Sequence, residues 1–158
     1  GSGRSRFPLM RLLPALHLLP ALSGCCVRTA YKDSNARDSK LTVAQKTCWE
    51  MPRDRVFEGA KLAMESYRVH KVNEADPVKG RIETHVNNEP APVGFPERRH
   101  RIIVQLVTEG TCTKVAVTAP IEEYSKKDGW FFLDTNEQAE GILYDASLKI
   151  HEQLKTMK

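Results

Sequence analysis

The stretch Arg98-Arg99-His100-Arg101-Ile102-Ile103-Val104-Gln105-Leu106-Val107-Thr108-Glu109-Gly110-Thr111-Cys112-Thr113-Lys114-Val115-Ala116-Val117-Thr118 decides the fold. Ile102, Val104 and Leu106 recur at every second residue, the period at which a strand lines one face of a sheet. Glu109-Gly110-Thr111 breaks the pattern as a turn and residues 112–118 resume it, so the stretch predicts an antiparallel hairpin. Ile103 and Val107 fall on the opposite face, where a sheet covered on one side should be polar. Either Trp130-Phe131-Phe132-Leu133 covers them or they form an exposed apolar patch that contacts a partner.

Working outward, residues 68–74 and 81–87 alternate on either side of Asp76-Pro77-Val78-Lys79-Gly80, a turn by composition, which predicts a first hairpin. Before it, Val56, Phe57, Ala60, Ala63, Met64 and Tyr67 repeat at helical spacing, with Pro52 near the start where its missing N–H is harmless. After the second hairpin, residues 130–133 predict a short strand. Asp134 or Thr135 then caps a helix with apolar positions Ala139, Ile142, Leu143, Ala146, Ile150 and Leu154. Most connections are too short for parallel crossovers. The expectation is an α+β fold: an antiparallel sheet of four to five strands with two helices packed on one face.

At 158 residues, with 41% hydrophobic and 28% charged residues, the chain has room for one domain and an appendage. Its formal charge of +4 falls to +1 without residues 1–24, which carry Arg4, Arg6 and Arg11 and no acid. That balance does not support nucleic-acid binding. The segment from Met10 to Cys25 has a basic start, a short leucine-rich centre and small residues before a cysteine, as a secretory signal does. It is shorter than the roughly 20 apolar residues of a membrane span, and Pro14 and Pro20 interrupt it.

Leu22-Ser23-Gly24-Cys25 resembles the lipobox of bacterial lipoproteins at all four positions. The resemblance implies cleavage before Cys25 and acylation of Cys25, and Cys26 in place of Asp implies sorting to an outer membrane. The alternative is two ordinary thiols after a conventional cleavage site. The expected organisation is a leader over residues 1–24, with 1–9 a non-native extension if Met10 is the start. A lipidated flexible tether over 25–40 and a single α+β domain over 41–158 follow.

The order of elements resembles the helix-grip domain of BamC-like lipoproteins, accessory components of the machinery that assembles outer-membrane β-barrels. The residues that carry it are Val56-Phe57, Tyr67-Arg68-Val69, Gly80-Arg81-Ile82-Glu83-Thr84, residues 101–107 and Ile142-Leu143. BamC-like proteins often carry two such domains, and this chain has room for one.

Candidate chemistry is sparse. If Asp76 faces Lys79, His70 stands opposite His85, both pointing away from the core, while His100 points towards it unless a bulge intervenes. The three then do not converge, no zinc motif completes a site, and no metal or other cofactor is expected. No serine sits in a nucleophile elbow, and Glu122-Glu123 reads as a solvated loop rather than an acid/base pair. Cys48 and Cys112 are reasonable disulfide partners in an exported chain, with two buried thiols as the alternative. Arg99 and Arg101 belong to a basic run that either meets anionic lipid or forms a solvated strand edge.

The expected function is therefore a non-catalytic envelope lipoprotein on the periplasmic side of an outer membrane. It is held by lipid and acts as an accessory or scaffold module for a protein partner. Its expected contact surface is Ile103, Val107, Arg99 and Arg101. The alternative is a carrier or sensor that holds a small apolar ligand between helix and sheet, lined by Phe57, Met64 and Leu143.

Overall fold

A computed structural model describes residues 36–134 and 137–158. The chain divides into two units, Gly1–Ser39 and Lys40–Lys158. The leader, Cys25, Cys26 and the expected tether as far as residue 35 lie outside the described residues. Among the described residues the architecture is α+β, with nine strands in two antiparallel sheets and three helices. The first helix, α1 over residues 36–46, replaces the last part of the expected tether. Ala36, Arg37, Lys40, Leu41, Ala44, Gln45 and Lys46 are good helix formers, which outweighs the lack of an apolar period. Ala44 is buried, and the Thr47 Oγ1 hydroxyl donates to the Val43 carbonyl at the helix end.

The first sheet has the order β1-β7-β6-β3-β2, built from Cys48–Trp49, Cys112–Thr118, Ile103–Glu109, Arg81–Thr84 and Val72–Asp76. The second has the order β4-β5-β8-β9, built from Asn87–Glu89, Arg98–His100, Ile121–Ser125 and Gly129–Phe132. The sequence predicts one sheet; the structure has two because three strand paths break in the middle and continue in the second sheet. The breaks fall at residues 85–86, 101–102 and 119–120. Across the second and third breaks the pairing keeps one offset, Ile103 with Thr118 and His100 with Ile121, so the decisive hairpin continues through both sheets. Across the first break it slips by one residue, from Glu83 opposite Ile103 to Asn87 opposite His100, which defines a bulge at His85-Val86.

Thr84 secures that bulge. Its N–H donates to the Ile102 carbonyl at 3.0 Å, and its Oγ1 accepts the Ile102 N–H at 2.9 Å where the ladder is interrupted. The first hairpin also differs in register: Asp76 pairs with Arg81, not Lys79, with an irregularity between Val72 and Glu74. A longer turn moves the partner of Asp76 by two residues, which keeps the faces, whereas the one-residue shift between Val72 and Glu74 exchanges them. Asp76 Oδ1 accepts the N–H groups of Val78 and Lys79, and Gly80 takes φ +64°, beside the Arg53 guanidinium, where a Cβ would have no room.

Helix α2 spans Arg53–Ser66 and α3 spans Glu140–Thr156. Val56, Phe57, Ala60, Ala63 and Met64 of α2 and Ala146, Ile150 and Leu154 of α3 share one buried cluster with Trp49, Ile82, Ile102, Val104, Leu106 and Val115. Each fully buried large side chain contributes about 1.5–3 kcal/mol. Gly59 lets the helices approach closely, since an added Cβ would lie 2.5 Å from Leu154 Cδ2. The final helix begins at Glu140, several residues beyond the expected cap at Asp134 or Thr135. Gln138 forms a bridge with Pro120, its side chain accepts the Ala119 N–H, and the Ala139 N–H donates to the Ala119 carbonyl. Those bonds hold residues 138–139 against the sheet and delay the helix.

Candidate functional site

The continuous register of the decisive hairpin sorts its side chains onto two faces. Arg99, Arg101, Ile103, Gln105 and Val107 share one face with Lys114, Ala116, Thr118, Glu122 and Tyr124 of the paired strand. Trp130 and Phe132 of β9 and Asn88 of β4 extend that face across the second sheet. Val107 is 42% exposed, Tyr124 and Phe132 are exposed, and Ile103 is half-buried. Residues 130–133 do not lie as a lid over Ile103 and Val107. Gly129–Phe132 pairs with β8 as the outer strand of the second sheet.

Arg99 and Arg101 sit on this face in a network of ion pairs. Arg99 Nε donates to Glu122, Arg101 reaches Glu83 at 2.8 Å and Glu122 at 3.5 Å, and Arg81 reaches Glu83 at 3.2 Å. Arg98 pairs with Glu123 at 3.1 Å. The hydrogen bond from Arg101 holds the Glu83 carboxyl below its usual range, more than burial raises it, and Arg81 adds to the effect. The basic run is thus largely neutralised within the fold, which weakens its reading as a contact for anionic lipid. Glu122, expected in a solvated loop, is instead a buried strand residue. Its position opposite Arg99 follows from carrying the hairpin register past Pro120, a residue that ordinarily marks the end of a central strand.

The histidines also depart from expectation. His85 is exposed, and His70, turned over by the one-residue register shift between Val72 and Glu74, is 2% exposed rather than pointing away from the core. His100 is buried, as its parity with Ile102 predicts. His70 Nε2 and His100 Nε2 lie 2.7 Å apart, and His100 Nδ1 lies 2.9 Å from Glu89 Oε1. With Glu89 ionised, His100 donates Nδ1–H to it and offers an Nε2 lone pair, so His70 donates Nε2–H. That tautomer leaves His70 Nδ1 as a buried acceptor without a partner. Tyr67 stacks on His70 with ring centroids 5.0 Å apart. Burial, reinforced by His100, pushes the His70 pKa down, while burial and then Asp145 push that of Tyr67 up. Two facing imidazoles supply too few ligands for zinc, and among the described residues no group of three His, Cys, Asp or Glu side chains suits a metal ion.

Cys48 and Cys112 are joined by a disulfide that links β1 to β7, with their Cα atoms 5.4 Å apart. Cys25, the expected lipid attachment point, lies outside the described residues. Among the described residues no helix is long and apolar enough to cross a membrane. Phe57 and Met64, expected to line a ligand cavity with Leu143, are 3% and 0% exposed inside the packed cluster, and Leu143 is half-buried. No protein-family model matches the chain, and no curated protein matches it either.

Proposed function

We propose that the chain is a non-catalytic binding module of the bacterial envelope, held at an outer membrane by lipid on Cys25 and serving as an accessory part of a protein complex there. Its contact surface is the hairpin face of Arg99, Arg101, Ile103 and Val107. The observation that carries this reading is the uninterrupted face itself, with Val107, Tyr124 and Phe132 exposed between internally paired charges. Apolar side chains set among neutralised charges favour a protein contact over a lipid phosphate or a nucleic acid. The Cys48–Cys112 disulfide fits an oxidising, exported setting. The alternative, a carrier of a small apolar ligand, has no comparable support, because Phe57 and Met64 are enclosed by other core residues.

Two experiments test the two halves. For the surface, a photoreactive residue at Lys114, directly opposite Val107, is expected to give discrete adducts in cells that Val107→Glu removes. An adduct pattern unchanged by Val107→Glu rejects the surface. For the anchor, metabolic labelling with a radioactive fatty acid should mark the wild-type chain and not Cys25→Ala; equal labelling of both rejects lipid on Cys25.

A further inference from the structure

The two sheets leave four edge strands, and three of them are blunted. Strand β1 is two residues long, β2 carries Glu74 and Asp76 and a break in its register, and β4 ends before Pro90 with the Asn87 side chain tied to the Val69 carbonyl. Such features keep a sheet edge from pairing with another chain. Strand β9 has none of them. From Gly129 to Leu133 it reads Gly-Trp-Phe-Phe-Leu, without a charge, a proline or a break in register, and Phe131 and Phe132 are 39% and 61% exposed.

The inner partner of β9 fixes which backbone groups its outer edge presents. The Leu133 N–H donates to the Ile121 carbonyl at 3.0 Å, while the Tyr124 N–H turns the other way, to the Glu97 carbonyl at 2.9 Å. The N–H and C=O of one strand residue share a side, and successive residues alternate. Residues 129, 131 and 133 therefore face β8, whereas Trp130 and Phe132 turn their N–H and C=O to the outer edge. Among the described residues no strand lies there. We propose that β9 pairs antiparallel with β9 of a second copy of this chain, joining two four-stranded sheets edge to edge.

The way this strand matches itself carries the choice of occupant. A two-fold axis beside Phe131 sets Trp130 opposite Phe132 of the second copy and Phe132 opposite its Trp130, so all the outward N–H and C=O groups of both strands pair. Phe131 meets its own copy in the intervening position, where side chains come closest. Every facing pair over residues 130–132 is then aromatic, a kind of cross-strand pair that stabilises a sheet. Moving the axis by one residue would set Phe132 against Asp128 or Trp130 against Asp134, and moving it by half a residue would set outward groups against inward ones. In the favoured register Asp128 comes opposite Asp134 of the second copy, which ends the pairing at Gly129 and Leu133. The axis stands perpendicular to the sheet, so the hairpin faces of both copies lie on one side and Val107 is not covered. This inference does not depend on the protein contact proposed for Val107.

Sedimentation equilibrium of the full chain between about 10 μM and about 1 mM tests it. An interface of one short strand is below standard size, so a monomer–dimer equilibrium with Kd on the order of 100 μM is expected. Phe131→Lys sets like charges side by side at the axis and should weaken the dimer about tenfold or more. Val107→Glu should leave it unchanged, which separates this edge from the proposed partner surface. On the wild-type chain, hydrogen exchange at the Trp130 and Phe132 amides should slow severalfold across the same concentration range, whereas the Phe131 and Leu133 amides, already turned to β8, should not change. That readout needs no variant to fold. A chain that stays monomeric at about 1 mM overturns the inference, as does a dimer without added protection at Trp130 and Phe132. Loss of the dimer in Val107→Glu would move the contact to the hairpin face and also overturn it.

Discussion

His70 Nε2 and His100 Nε2 face each other at 2.7 Å inside the protein, while Glu89 holds the far nitrogen of His100. One proton fits between the two rings. The same contact fastens two distant parts of the chain, since His70 follows α2 in the turn before β2 and His100 ends β5 in the second sheet. Asn87 adds a parallel tie by donating from Nδ2 to the Val69 carbonyl.

This arrangement makes the fold sensitive to mild acid. His70 has a lowered pKa, first through burial and then through His100, so the folded chain keeps it neutral where an unfolded histidine takes up a proton. Stability should fall as pH drops through about 6.5, by up to about 1.4 kcal/mol per pH unit for one such group, and level off once the folded protein is protonated. His151, also lowered mainly by burial, acts in the same direction, whereas Glu83 loses its contribution only below the ordinary carboxylate range. Urea unfolding between pH 7.5 and 5 measures the slope. The His70→Leu/His100→Leu double variant should be less pH-dependent; an equal slope would rule out the pair as a source.

Thr84 offers a sharper test of the double-sheet architecture. Its hydroxyl accepts the N–H of Ile102, both residues are almost fully buried, and the adjacent bulge leaves that donor without a strand partner. Thr84→Val keeps the shape but removes the acceptor, and should cost about 1–3 kcal/mol. Thr84→Ser retains the oxygen and should recover most of the hydrogen-bond contribution, apart from the lost methyl. Equal losses for the two variants, by chemical denaturation, would assign the effect to packing alone.

The disulfide predicts a loss of a different kind. Cys48 and Cys112 are 64 positions apart, so the bridge limits a long stretch of the unfolded chain. The Cys48→Ala/Cys112→Ala variant should lose about 4 kcal/mol by the chain-entropy model. The wild type in reductant should fall to a similar midpoint. A denaturation midpoint insensitive to both changes would show that the bridge does not restrict the unfolded chain.

Elements whose apolar residues repeat at a clean period were legible in the sequence. Val56 to Met64 set the face of α2, Ile102 to Leu106 set the core side of the hairpin, and Ile150 and Leu154 set the buried side of α3. What escaped depends on non-local events that leave no period. The bulge at His85-Val86 changes partners between sheets, the register shift between Val72 and Glu74 brings His70 inward, and pairing beyond Pro120 carries Glu122 to Arg99. Two-residue β1 is too short for any pattern and exists by pairing with β7. Ile103 and Val107 were visible as a departure from alternation, but the aromatic side chains that extend their face depend on the second sheet.

Glu122 and Glu123 are adjacent in sequence, yet their replacement should have unequal effects, because successive strand residues point to opposite faces. Glu122 is buried, with its carboxylate serving both Arg99 and Arg101, whose side chains are only about a quarter exposed. Removing it in Glu122→Ala leaves poorly solvated Arg99 without its carboxylate, while Arg101 keeps Glu83, and should cost about 1–3 kcal/mol, a value below that of a fully buried pair because water still reaches the arginines. Glu123 serves Arg98, whose side chain is 45% exposed and can turn to water, so Glu123→Ala should cost less than about 1 kcal/mol. Glu122→Gln keeps an acceptor and should fall between them. Because Arg99 stacks on Trp130, Glu122→Ala should also alter Trp130 fluorescence in the folded state, with Trp130→Phe as the control that removes the signal. Equal destabilisation by Glu122→Ala and Glu123→Ala would contradict the register that places only Glu122 on the face of Arg99 and Trp130.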